Sequence, residues 1–239
     1  ILYGEGSESI IAQGVFVKTL EELAKDDWIK AVVIRVDSPG GSALVSELIW
    51  RSTVKLKEQK PVIVSIGDTA ASGGYYIATA ADYIFVDPMS VTGSIGVFAT
   101  LPNAKGLLDK VGIRAQSVQT HSNALGYSTY QPITKAFKEQ LKNGIEKTYN
   151  IFKERVINGR SLDPNIVEEL AQGKVWSGKR ALDLGLVDEI GDLENAINFA
   201  AKKVGLKIKI NSVALKGVND DELADMIRWC GREAVSYTH

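Results

Sequence analysis

The chain has 239 residues, 45% hydrophobic and 24% charged, with a formal net charge of −1. That is the composition of a folded globular protein with a full core, and it gives no electrostatic reason to expect a nucleic-acid partner. The single cysteine, Cys230, excludes an intramolecular disulfide and a cysteine metal cage, and no metal-ligand spacing or cofactor motif occurs elsewhere.

The opening Ile1-Leu2-Tyr3-Gly4-Glu5 lacks a methionine and reads as a strand in mid-course, so the chain is expected to be a piece of a longer protein. The longest charge-free run, Pro88 to Ala104, is broken by Gly93, Gly96 and Pro102, so a membrane anchor is expected only outside this chain. Val15 to Trp28, with Val15, Leu20, Leu23 and Trp28 apolar, reads as an amphipathic helix. Ala31 to Val36 is a buried-type strand, ended by the breakers Asp37-Ser38-Pro39-Gly40-Gly41. A helix over Ser42 to Lys57, a second apolar strand over Pro61 to Ile66 and a helix over Ser72 to Ala80 follow. The strand Tyr83 to Val86 is stopped by Asp87-Pro88, and a helix over Ala104 to Val111 leads to a strand over Ile113 to Val118.

Beyond Gln119 helices dominate: Thr134 to Ile157, Pro164 to Gln172, Ser177 to Leu184 and Leu193 to Val204. Lys207 to Ile210 reads as a short strand, and Asn219-Asp220-Asp221-Glu222 as the start of a last helix to Trp229. Cys230 is expected to be a small buried hydrophobe. Alternating strands and helices predict βαβ units, a mostly parallel sheet and an α/β fold. The expected organisation is one domain over 1–239, with a sheet-rich core to about residue 118 and a helical part from about residue 119.

Two turns hold the residues most suited to chemistry. Gly67-Asp68-Thr69-Ala70-Ala71-Ser72-Gly73-Gly74-Tyr75-Tyr76 passes from strand to helix through small residues, which exposes the Ser72 hydroxyl at a helix start. The same residues would also serve a helix that simply packs close to a sheet. Asp37-Ser38-Pro39-Gly40-Gly41-Ser42 makes a second such turn, either a plain βα turn with Ser42 as N-cap or a cradle of backbone N–H groups. Both turns leave the carboxyl ends of parallel strands, and so face one crevice. Together they read as a nucleophile, Ser72, beside an oxyanion hole formed by Gly40 or Gly41 and the Gly73 N–H. Val91-Thr92-Gly93-Ser94-Ile95-Gly96-Val97 either lines that crevice or is a bulged strand. Tyr75, Tyr76 and Phe98 either line an apolar pocket or simply pack.

Arg35-Val36-Asp37-Ser38-Pro39-Gly40-Gly41-Ser42, the Ser72 turn and Thr92-Gly93-Ser94-Ile95-Gly96-Val97 resemble the signal peptide peptidase A (protease IV) family. Ala171-Gln172-Gly173-Lys174-Val175-Trp176-Ser177-Gly178 and Ala181-Leu182-Asp183-Leu184-Gly185-Leu186-Val187-Asp188 carry the resemblance on, in the family's order. The resemblance implies a Clp protease/crotonase-like fold. It implies a serine peptidase with a Ser-Lys dyad that cuts hydrophobic peptides such as cleaved signal peptides, without a cofactor. It also implies a ring-like homo-oligomer anchored to the bacterial inner membrane and facing the periplasm or the outside.

One feature departs from the family. Single-length members place a lysine base between the strand and the long helix, where this chain reads Ser117-Val118-Gln119-Thr120-His121-Ser122-Asn123-Ala124-Leu125-Gly126-Tyr127-Ser128. The nearest lysines, Lys110 and Lys135, lie on flanking helices. A serine hydroxyl is a poor nucleophile until a neighbour takes its proton. In double-length members the amino half supplies the lysine to the serine of the carboxyl half, and this chain resembles such a carboxyl half. The base is then expected from a homologous N-terminal half or a neighbouring subunit, with the isolated chain inactive. His121 is the alternative base, although no spacing supports Asp37 or Asp68 as its orienting partner. Two further readings remain: a non-catalytic assembly domain of a protease ring, and a crotonase-type acyl-CoA enzyme.

Overall fold

The computed structural model describes residues 1–2, 4, 11–121 and 124–206, and the strands 209–211 and 236–238. The expected final helix, Cys230 and the first half of the expected strand over Lys207 to Ile210 lie outside the described residues.

A six-stranded sheet forms the centre. Strand β1 (Val32–Ser38) lies parallel to β2 (Val62–Ala71), pairing Val32 with Val62 and Val36 with Ile66. Strand β3 (Tyr83–Val86) runs parallel to the first half of β2, and β4 (Val91–Gly93) to its second half. Strand β5 (Val175–Ser177) pairs antiparallel with β4, and β6 (Glu189–Ile190) parallel with β3. A separate pair joins β7 (Lys209–Asn211) to β8 (Ser236–Thr238).

The apolar runs form strands because both faces of the sheet are covered. Helix α1 (Gln13–Lys25) packs against α2 (Ala43–Lys57), whose Val45, Ile49, Thr53 and Leu56 recur at helical spacing and are buried. Helix α3 (Gly73–Ala78) is buried along its whole length. On the other face, Ile63 and Phe85 pack with Ala196 and Ala200 of α8 (Leu193–Lys203), which opens with a capping box between Asp192 and Asn195. Helix α4 (Lys105–Lys110) is exposed, whereas α5 (Lys135–Arg160) crosses the molecule and buries Phe152 and Val156. Helices α6 (Pro164–Leu170) and α7 (Gly178–Asp183) complete the chain order.

The mixed α/β class and the parallel character of the central strands agree with expectation. Several boundaries differ, each for a physical reason. Strand β2 continues through Gly67 and Asp68 to Ala71, because its far half finds a partner in β4. Helix α1 stops at Lys25, and Trp28 is 92% exposed instead of lying on an apolar face. The expected strand Ile113 to Val118 is absent: these residues have no regular structure and are all exposed, with no neighbouring strand to take their backbone groups. Strands β5 and β6, too short to be marked by any periodicity, bring residues from the second half of the chain into the central sheet.

Candidate active site

Ser72 stands between the end of β2 and the start of α3, with φ 51° and ψ −120°. This is the first central position of a type II′ turn, which glycine adopts freely and serine does not. Such strain, about 1–3 kcal/mol, persists only where the surroundings impose it. Here the Ser72 N–H donates to Gly93 O of β4 at 2.9 Å, and Tyr76 N–H donates to Ser72 O at 2.9 Å. The buried Ile77 alone returns about 1.5–3 kcal/mol, enough to hold the kink.

The Gly40-Gly41 turn lies against this kink. Gly40 has φ +108°, and a β-carbon there would lie 2.8 Å from Gly73 N, 2.8 Å from Ser72 Cβ and 2.9 Å from Ala71 O. The Gly40 N–H is already donated to Ser38 Oγ at 3.2 Å. Among the described residues the N–H groups of Gly41 and Gly73 have no partner. A β-carbon on Gly73 would lie 3.3 Å from Gly41 N, so the two turns bring these amides close together beside Ser72. Ile1 closes the outer side of the turn: its amino group donates to Gly40 O, and Ser42 N–H donates to Ile1 O.

Ser72 opens onto two cavities. One, of about 510 Å³, is mostly apolar and lies between Leu2, Ala43, Tyr76, Val97, Phe98 and Phe152. The other, of about 720 Å³, extends past Gly41 and Ser94 to Tyr149, Glu168 and Gln172. Gly96, Val97 and Phe98 form a wall common to both, so the stretch from Val91 to Val97 is at once a strand, β4, and a lining of the crevice. Tyr76 and Phe98 line the apolar cavity, whereas Tyr75 is core, fully buried with its hydroxyl donated to Leu186 O at 2.7 Å.

The outer wall of both cavities is α5, through Thr148 and Phe152 on one side and Ile145, Glu146 and Tyr149 on the other. Sequence reasoning missed this wall. The signal was present as an i, i+3, i+4, i+7 stripe from Ile145 to Phe152, but such a stripe does not say what it faces. Ser46 and Ser94 also line the cavities. Lys153, one turn along α5, is engaged by Glu168 Oε2 at 2.5 Å and sits over the Tyr149 ring, so its amine is already paired.

His121 is exposed, and its Nδ1 faces Thr120 Oγ1 at 3.0 Å. It lines neither cavity at Ser72. Lys110 and Lys135 are exposed and line neither cavity. Asp37 accepts from Thr69 N–H at 3.1 Å. Among the described residues no acidic, histidine or cysteine group could hold a metal ion.

Behind the apolar cavity, Glu47 of α2 accepts from Arg155 Nη2 at 2.8 Å, Arg155 Nε at 3.2 Å, Arg51 Nε at 2.6 Å and the Tyr76 hydroxyl. Burial pushes its pKa up, but the bonds from Arg155, Tyr76 and Arg51 outweigh burial and hold it below the ordinary 4.5. Burial and the Glu47 carboxylate together push the Tyr76 phenol up. A depressed folded-state pKa gives stability that is present above the unfolded value and lost as pH falls through the folded one. Thermal melts of the wild type should therefore drop steeply below about pH 4.5. Glu47→Gln should melt lower at neutral pH and show a shallower acid limb. Superimposable acid limbs for the two proteins would refute this account.

The sequence profile of peptidase family S49 matches residues 54–207. The chain is 39% identical over 227 residues to Protease 4 of Haemophilus influenzae, an alignment covering 94% of this chain and 37% of that protein. It is 37% identical over 202 residues to the chloroplastic serine protease SPPA of Arabidopsis thaliana, covering 84% of this chain and 30% of the relative. It is 31% identical over 226 residues to a putative signal peptide peptidase SppA of Enterococcus faecium, covering 93% of this chain and 64% of the relative. The chain thus spans only about a third of the first two relatives.

Proposed function

The chain belongs to peptidase family S49, and on that premise we propose that it is the nucleophile-bearing part of a serine endopeptidase. Ser72 attacks the scissile carbonyl. The Gly73 N–H and an N–H of the Gly40-Gly41 turn, that of Gly41 by its availability, hold the oxyanion. The single observation that carries this reading is the strained Ser72 backbone beside two glycine amides that have no partner among the described residues.

The base in this proposal is a lysine from a homologous half or a neighbouring subunit, within a Ser-Lys dyad. Burial in the assembled site lowers its pKa towards neutrality, so that it accepts the Ser72 proton on attack and returns it to the leaving amine. Two observations support an outside base: among the described residues no unpaired amine lines either cavity, and the segment from Phe98 to Ile133 exposes apolar side chains suited to a protein contact. Phe98 is 87% and Val118 99% exposed. A ring-like assembly of Clp protease/crotonase type, holding the sites in an enclosed space, belongs to the same proposal.

The substrates are hydrophobic peptides, cleaved signal peptides among them, bound extended along the backbone of Gly96 to Phe98. Among the described residues that edge makes no backbone hydrogen bond of its own. The apolar cavity receives an apolar side chain. Among the described residues no helix is long and apolar enough to cross a membrane. Attachment to the cell envelope through a segment outside this chain belongs to the same proposal.

A fluorophosphonate probe tests the proposal. It should label Ser72 in the assembled full-length protein and label the isolated chain at least about a hundredfold more slowly, general-base assistance being worth about 10²–10⁴-fold. Mutating the lysine of the other half should abolish labelling while assembly persists. An assembled protein that does not label at Ser72 would leave a scaffold, not a peptidase.

A further inference from the structure

The apolar cavity beside Ser72 is backed by a charged cluster that the peptidase chemistry does not use. We propose that Glu47, Arg155 and Tyr76 act together as positioning residues that fix the walls of this cavity, and with them the size of the substrate side chain accepted there. The inference rests on the peptidase reading above and deepens it.

The cluster ties together the three helices that enclose the cavity. Glu47 follows Ser46, a lining residue on α2. Tyr76 is itself a wall of the cavity and lies one turn after Ser72 on α3, its N–H bonded to Ser72 O. Arg155 lies three residues after Phe152, the wall contributed by α5. The Tyr76 and Phe152 rings touch, with centroids 4.7 Å apart. One carboxylate thus fixes both ends of that aromatic contact: it takes the Tyr76 hydroxyl on one side and the Arg155 guanidinium, through two donors, on the other.

Further contacts brace the cluster, and Arg51 Nε adds a bond to Glu47 Oε1 at 2.6 Å. The guanidinium of Arg155 stacks on the Trp50 ring at 4.1 Å. The Trp50 indole N–H donates to Thr79 Oγ1 at 3.1 Å, and Thr79 Oγ1 donates to Tyr76 O at 2.7 Å. Gly159 of α5 lies against the Thr79 carbonyl so closely that a β-carbon would overlap it. The side chains of Glu47 and Arg155 are only 17% and 18% exposed, so the pair is poorly screened by solvent. A long helix that is exposed along most of its first half is therefore pinned at the turn that walls the cavity.

A cavity whose walls are pinned discriminates by size, because a side chain one methylene too short or too long loses or strains its contacts, a difference worth about 10–200-fold. Releasing the walls relaxes that discrimination.

The test uses the assembled full-length protein and three peptide substrates that differ only in the residue preceding the scissile bond: Ala, Leu or Phe. Tyr76→Phe keeps the ring and removes one hydroxyl; Glu47→Gln and Arg155→Met open the ion pair. In each variant the kcat/KM ratio of Leu over Ala should fall about fivefold, mainly through KM, and the ratio of Phe over Leu should rise. Arg155→Lys, which retains the charge but not the two-donor fork, should recover part of the wild-type ratio. A structural role alone would lower melting temperature and depress all three substrates by one factor; that result overturns the proposal. Tyr76→Phe reports even if a charge variant fails to fold. Wild-type protein that cleaves none of the peptides would sink the peptidase reading and this inference with it. Wild-type discrimination that survives unchanged in the variants would sink this inference alone.

Discussion

Ser72→Ala and Ser72→Gly are expected to be equally inactive and unequally stable. Loss of the hydroxyl removes the nucleophile, and the effect on kcat of the assembled protein should reach about 10³–10⁶-fold, since no neighbouring hydroxyl lies at the same kink. Ser46 also lines the apolar cavity, but its hydroxyl donates to Ser42 O at 2.9 Å within α2. Stability should separate the two variants. Alanine keeps a β-carbon at φ 51° and ψ −120° and so keeps the strain; glycine removes it. Strain of about 1–3 kcal/mol, less the extra chain entropy of glycine, leaves a gain of about 1 kcal/mol. In a chain of this size that raises the melting temperature by about 2–4 °C. Thermal melts of the three proteins check it. Ser72→Gly melting no higher than Ser72→Ala would mean that the turn is not strained, and would remove the physical ground for singling out this serine.

The legible and illegible parts of the molecule divide by the range of the interactions that make them. Strands β1, β2 and β3 and helices α2, α3 and α5 could be read because each rests on local signals: continuous apolar runs, breakers at Pro39 to Gly41, an N-cap at Ser42 or Thr134. The two turns pair by topology alone, because successive parallel strands end on one side of a sheet. What escaped depends on partners distant in sequence. Ile113 to Val118 has strand-like composition, but composition does not supply a neighbouring strand. Trp176 enters the sheet opposite Thr92 of β4. Arg155 meets Glu47 across 108 residues, and neither residue carries any mark of the other. The cavity walls on α5 belong to the same class. Their spacing announced an apolar face, and only the fold turns that face towards Ser72. No base could be read from either sequence or structure for one reason: among the described residues no lysine lines the crevice.

Gly40→Ala tests the other half of the proposed chemistry, the oxyanion hole, without touching the nucleophile. Two independent effects act against a side chain here. The backbone at φ +108° is one that L residues rarely adopt. The β-carbon would also approach Gly73 N, Ser72 Cβ and Ala71 O within 3 Å, and none of these belongs to the flexible end of a side chain. The turn must therefore retreat from the kink, carrying the Gly41 N–H away from the Gly73 N–H. Losing one donor of such a pair costs about 10²–10³-fold in kcat, and displacement of both costs more. The loss should appear in kcat and kcat/KM alike, because the oxyanion forms only in the transition state. Gly144→Ala supplies the control. Gly144 lies within α5 with no atom near the position of its β-carbon, so the same chemical change should stabilise by about 0.5–1 kcal/mol and leave turnover intact. If Gly40→Ala keeps wild-type kcat while melting several degrees lower, the turn serves only packing, and the oxyanion must be held by groups other than the Gly40-Gly41 amides.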